Sequence, residues 1–399
     1  MIGLVKLLVH FSASAENVSR ADMQTPIAAE LLRALVIHAQ WLYIFSMMVG
    51  VPWPVTLAWP LQVVGGVWSS TSGSSIGFEC ILQDRSGLPV AAQKLLICMF
   101  TPVGILCGVL MIEALSHCLR PRRSRSRPTS AEHGFTSVMM CIVFMFLPTW
   151  VNTALSLFTC ATLDTPVEAP YQAEAVGSWW VEDMSQLCYS RSGYHRGWAL
   201  GLGVPLTLLL CVGLPAGVFL FMWFSRKQGK LQDMQFQEHY GFMYRLWKDE
   251  WCWWESVVLL QTCALVMVST FGFALGPFYQ GILSATVLAT VGMLLLAVKP
   301  FKCPAAGRVA VISVCVLFFT AQVALTFIPY NSLSPPSAYG NTMGVVLMLA
   351  NMSFLIGTTW MLARVVDWTS VRGALSVLLS SCCRGTANVP ISRRRQLKA

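Results

Sequence analysis

Eight apolar stretches, each close to the roughly 20 residues a helix needs to cross the hydrocarbon of a bilayer, alternate along this chain with short polar segments. They run Leu31 to Val51, Pro89 to Ser116, Phe135 to Cys160, Ala199 to Phe224, Trp253 to Phe273, Gly281 to Val298, Val309 to Ile328 and Met343 to Ala363. Of 399 residues 55% are apolar and 11% charged, against roughly 25% charged in a soluble globular chain. One soluble core could not take up that much apolar surface, so most of it must face lipid. The expected fold is all-α, a polytopic transmembrane helical bundle of about eight spans.

Basic residues set the orientation, because loops rich in Lys and Arg stay cytoplasmic whereas acidic residues count for little. With both termini cytoplasmic, 23 of the 27 Lys and Arg fall on the inner side, leaving only Arg85, Lys94, Arg191 and Arg196 outside. The chain then divides into a short N-terminal segment (1–30), two spans with an outer loop (31–116), a basic linker (117–134), spans three and four with a cysteine-containing outer loop (135–224), an amphipathic inner linker (225–252), spans five to eight (253–363) and a basic tail (364–399). Tryptophans sit at both expected interfaces, where an indole ring is best solvated.

The net charge of +9 raises nucleic acid as a partner. The charges lie between apolar runs instead of on one face, so the expected partners are membrane lipids, anionic inner-leaflet lipid among them. Cations and further copies of the chain complete the expected partners, and the plasma membrane is the expected location. No CxxC pair occurs among the 14 Cys, and no metal or cofactor site is expected.

Ionisable groups at membrane depth are costly and default to function. Arg33, Glu113 and Glu255 all lie near the inner surface, where either glutamate could pair with a basic group. Deeper positions are neutral: His38, Gln40, Asn152, Gln261, Gln322 and Asn351. A proton pump driven by midplane carboxylates and a voltage sensor of stacked arginines are therefore disfavoured. Gln261, Gln322 and Asn351 are the candidates for a polar pathway if their helices face one another; otherwise such amides join helices by hydrogen bonds. Gly104-x-x-x-Gly108 and Gly213-x-x-x-Gly217 would allow close helix approach, and membrane helices tolerate such glycines and prolines routinely, a hinge in the fourth span between Pro205 and Pro215 being the lesser alternative.

From Tyr240 to Glu255, aromatic residues recur every three to four positions, which predicts one amphipathic helix at the inner headgroups. Such a helix would simply anchor the chain at the interface, or, through Tyr244, Trp247, Trp251, Trp254 and Glu255, couple cytoplasmic or lipid events to the spans. Three cysteines, Cys80, Cys160 and Cys188, fall outside, where disulfides form. Of the three pairings Cys160 with Cys188 is favoured, since both flank one loop. Cys382 and Cys383 follow an apolar run and precede Arg384, a juxtamembrane palmitoylation pattern.

Some patterns are set aside. Gly73-Ser74-Ser75-Ile76-Gly77 matches a nucleophile elbow but lacks the strand and helix that give one its geometry, so no enzyme is expected. Met1 to Phe11 with Ala13-Ser14-Ala15 resembles a signal peptide, yet Lys6 interrupts the apolar run and cleavage would invert the charge pattern, so an interfacial segment is expected. Val55 to Trp68 is too short to span and reads as an outer interfacial helix, with a re-entrant hairpin the alternative.

In order and spacing, several blocks resemble one family, the transient receptor potential-like C-terminal membrane domain. They are Phe78-Glu79-Cys80, the outer-loop residues Trp179, Trp180, Asp183, Cys188, His195, Arg196 and Trp198, then Gly213-Leu214-Pro215, the run Tyr244 to Glu255, and Lys299-Pro300-Phe301. The resemblance implies a channel-like or mechanically responsive protein that moves cations such as calcium; the alternative is a non-conducting receptor or scaffold. The connections after the fifth and seventh spans, Ala274 to Gln280 and Pro329 to Asn341, are respectively too short for a filter and without an acidic residue.

Overall fold

The computed structural model of the chain describes residues 24–46, 48, 53, 90–119, 130–163, 177–191, 193–328 and 337–365. Helices occupy most of each apolar stretch: α1 (Gln24–Ser46), α2 (Val90–Leu119), α3 (Ser130–Ser156), α4 (His195–Lys227), α6 (Trp254–Phe271), α7 (Pro277–Val298), α8 (Pro304–Leu325) and α9 (Ser337–Val365). A further helix, α5 (Met234–Tyr244), precedes α6. Five of them, α4, α6, α7, α8 and the Tyr339–Val365 part of α9, are long and apolar enough to cross a membrane.

Local chemistry explains the ends. Proline opens α7 and α8, where its missing N–H is not needed. Helix α7 stops at Lys299, whose φ of 47° is left-handed and turns the chain into Pro300. Within α4 two π-helical turns, Ala199–Gly203 and Leu209–Gly213, each run into a Gly-x-Pro step, at Pro205 and Pro215. A proline cannot donate to the carbonyl four residues back, and the ladder widens to accommodate it. Gly203 is required for another reason: a Cβ there would sit 2.9 Å from the Phe158 ring.

Helix α1 is the hub. It packs against α6, α8 and α9, and Trp41, Phe45, Leu265, Leu288, Leu317 and Leu347 belong to the large core around it. Its contact with α3 is specific. Pro148 leaves the carbonyl of Phe144, four residues earlier, without a helical donor, and the buried Gln40 Nε2 supplies one at 3.1 Å.

The segment expected as an outer loop is partly folded. A three-stranded antiparallel sheet, β1 (Cys160–Leu163), β2 (Gly177–Trp180) and β3 (Asp183–Leu187), caps the end of α3. The side chains of Trp180 and His195 donate to the carbonyls of Ser156 and Leu157, at 2.9 and 3.0 Å, and so satisfy the end of α3.

Candidate functional site

At one end of the bundle a buried ionic node joins separate parts of the chain. Glu255, in the first turn of α6, accepts a hydrogen bond and ion pair from Arg33 of α1, and both side chains are about 95% buried. Trp247 Nε1 donates to the same carboxylate oxygen at 3.3 Å. The guanidinium lies 5.1 Å from the Phe144 ring centre and 5.2 Å from that of Trp247, within cation–π range. The pairing is needed here, because an unpaired charge at this burial would be prohibitive.

Trp247 reaches the node because the linker is not one helix. The expected continuous helix from Tyr240 to Glu255 is broken: α5 ends at Tyr244, a 3₁₀ turn spans Asp249–Trp251, and helix resumes at Trp254. In the gap the backbone pairs with the connection between α7 and α8. Lys248 N–H donates to Pro300 at 2.8 Å, and Lys302 N–H donates to Leu246 at 3.0 Å. Lys302 also pairs with Asp249 at 2.7 Å, and the Trp247 and Phe301 rings lie 4.8 Å apart. Pairing with a distant segment therefore outcompetes the local helical periodicity.

The five linker candidates consequently divide. Trp247, Trp251, Trp254 and Glu255 gather at the node, Trp251 meeting Trp254 edge-on at 5.9 Å. Tyr244 instead packs with Met222, Met243 and Cys252, and its hydroxyl donates to Leu231 at 2.9 Å. Burial pushes its pKa up to about 12.

Above the node, polar side chains follow α1 into the bundle. A cavity of about 60 Å³ lies beside Arg33 and is lined by Glu30, Trp41, Gln261 and Ser313 among others. Ser313 pairs with His38 Nδ1 at 2.9 Å, and Phe354 stacks on the imidazole at 4.2 Å. One helical turn from Phe354, Asn351 approaches the same imidazole, and its amide donates to Thr320 at 3.0 Å. The structure thus sets Gln261 and Asn351 toward opposite ends of one buried polar series. Gln322 does not join them. It is exposed on α8, because two residues of helix carry it some 200° away from the buried Thr320. Sequence reasoning missed Ser313 and Thr320, which supply the polar contacts of α8; their spacing of seven residues was the available signal.

On the opposite end, a disulfide joins Cys160 to Cys188. The three side chains of Cys160, Cys188 and His195 cluster closely, but the sulfurs are bonded to each other and both imidazole nitrogens are engaged, Nδ1 by Tyr189 N–H at 3.1 Å and Nε2 by Leu157. The cluster is a brace. Asp183 accepts from Ser185 and from the Tyr194 hydroxyl. Partial burial raises its pKa, but these hydrogen bonds outweigh that and hold it below the usual carboxylate value, while burial and Asp183 together raise that of Tyr194.

Gly213 and Gly217 lie on the exposed face of α4, where a Cβ at Gly217 would meet nothing within 4 Å and one at Gly213 only its own helix. The segments Met1–Phe11, Ala13–Ala15, Val55–Trp68 and Gly73–Gly77, and Cys80, Cys382 and Cys383, lie outside the described residues. No family model, curated protein or solved structure matches the chain.

Proposed function

We propose that the chain is a channel-like cation sensor of the transient receptor potential-like type, with eight spans and both termini cytoplasmic, in the plasma membrane. The observation that carries this reading is the buried polar series along α1, running from the Arg33–Glu255 node through Gln261, Ser313 and His38 to Asn351 and Thr320. Polar groups are expensive at that depth, and a helix that only anchored the chain would not carry them. The broken linker adds a means of control: movement of α5 or of the α7–α8 connection is delivered through Trp247 to the only described ion pair inside the bundle. Basic inner segments would hold anionic lipid against that linker.

A second reading, a non-conducting receptor or scaffold, is favoured by the outward position of Gln322 and by the fully buried Leu317 and Leu347 on the flanking helices. Cation flux into liposomes separates the two. Flux through the Gln261→Leu/Asn351→Leu variant is expected to fall at least about tenfold, the effect of roughly 1.4 kcal/mol on a barrier, whereas Gln322→Leu leaves it unchanged. Absence of flux from folded wild type across voltage, calcium and membrane tension would transfer the assignment to the receptor reading.

A further inference from the structure

We propose that Glu30 is a proton-operated regulator of the Arg33–Glu255 node: as a neutral acid it leaves Arg33 to Glu255, and as a carboxylate it draws Arg33 away. The proposal deepens the channel reading and rests on it only for the effect on flux. Glu30 stands one turn before Arg33 on α1, a spacing at which side chains on a helix meet. It is 5% exposed, and its Oε2 has no hydrogen-bond partner. The cavity it lines is walled mostly by apolar side chains, among them Ala34, Ile37, Leu246, Val258 and Leu295.

Among the described residues, the surrounding charges leave Glu30 no counter-ion of its own. Arg33, on the same helix, is held by Glu255 of α6. Lys302, from the α7–α8 connection, lies 2.7 Å from Asp249 of the α5–α6 connection, where Lys248 and Glu250 are exposed. Helix α7 carries no charged residue, and those of α8 and α9 are Arg308 and Arg364, both exposed, the latter over Trp360. Further along α1, His38 pairs with Ser313.

A buried carboxylate in this place is costly, and either a proton or a share in Arg33 relieves it. A proton suffices, because the neutral carboxyl still accepts a hydrogen bond, and the cavity of about 60 Å³ has room for two waters of roughly 30 Å³ each to take its O–H. Burial raises the Glu30 pKa to about 7, with Arg33 and Lys302 pulling the other way, so both forms are populated at neutral pH. Neutral Glu30 leaves a balanced pair at the node. Ionised Glu30 sets two carboxylates against one guanidinium, and the contact through which Trp247 ties the linker to α1 and α6 slackens.

The test is an infrared pH titration of the full chain in lipid nanodiscs, read at the C=O stretch of the protonated carboxyl. Wild type should show a band with a midpoint near pH 7 that Glu30→Gln lacks. Should Glu30→Gln not fold, Glu30→Asp serves instead and should shift the band in frequency while keeping a titration. The midpoint should rise by a unit or more in Arg33→Met and fall by as much in Glu255→Gln. Because the folded pKa is raised, the stabilisation is complete below the ordinary value of about 4.3 and is lost as pH rises through about 7. The folding equilibrium constant of wild type relative to Glu30→Gln should therefore fall about tenfold per pH unit between those values and level off above them. A midpoint near 4.3, a band shared with Glu30→Gln, or a midpoint that neither node variant moves would each overturn the proposal. A near-neutral titration without flux would keep the switch and remove the channel reading; flux whose pH profile is the same in Glu30→Gln would do the reverse.

Discussion

Helices α4 and α6 lie against each other yet belong to opposite environments. In the most apolar window of α4 only 11% of residues are buried, whereas in that of α6 the share is 61%. Of the five helices fit to span, α4 is also the most apolar and α6 the least. In a soluble protein the order would be reversed. With hydrocarbon as solvent, apolarity marks the outer wall, and what draws helices together is polar pairing and close packing. Leu208, Leu209 and Val212 of α4 are exposed at about 60%, while Glu255, Gln261 and Thr262 of α6 are buried.

The harshest way to break this contrast is to remove one partner of the ion pair. Glu255→Gln or Arg33→Met should cost about 3–5 kcal/mol by leaving a buried charge unpaired, read as lost unfolding stability in nanodiscs. The double change Arg33→Met/Glu255→Met should recover most of it. A single-variant cost as small as that of a surface pair would mean that water reaches the node.

A gentler test compares truncations of one residue type. Leu317→Ala, at a site with no exposure, should cost about 3 kcal/mol, whereas Leu208→Ala on α4 should cost under roughly 0.5 kcal/mol in the same assay. Equal costs would place α4 against protein in the working assembly and make its outer face an interface between copies.

The same contrast explains what could be read from the sequence. Long apolar stretches locate membrane helices because the bilayer imposes their length, and a helix occupies most of each such stretch. Which face of a helix turns inward is a packing outcome: Gln322 and Thr320 are two positions apart and face opposite ways. The break in the linker depends on Pro300 and Lys302, some fifty residues from Trp247, beyond the reach of any local period. The three-stranded sheet was hidden because strands of four or five residues show too few alternations, and they are held by pairing and by the disulfide. The role of Gln40 was legible in principle, since Pro148 announces an unpaired carbonyl at Phe144.

The smallest effect lies at the other end of the molecule. Because the pKa of Asp183 is depressed in the folded chain, its contribution is complete above the ordinary carboxylate value of about 3.9 and is lost as pH falls through the lower folded value. Amide exchange protection at Val181 and Cys188 should therefore stay level from neutral pH to about 4 and decline below it. Asp183→Asn should show lower protection at neutral pH and no such decline; an unchanged profile would remove Asp183 from the sheet's support.

The junction between the α5–α6 and α7–α8 connections is made largely of main-chain atoms, Lys248 to Pro300 and Lys302 to Leu246. Such wiring is indifferent to most point substitutions, since nearly any residue brings the same amide and carbonyl. It is intolerant of changes in length. One residue added or lost between Tyr244 and Trp254, or between Lys299 and Pro304, would slip the register and turn Trp247 away from Glu255. Variation among copies of such a gene should therefore accumulate in the spelling of these two segments and spare their residue count.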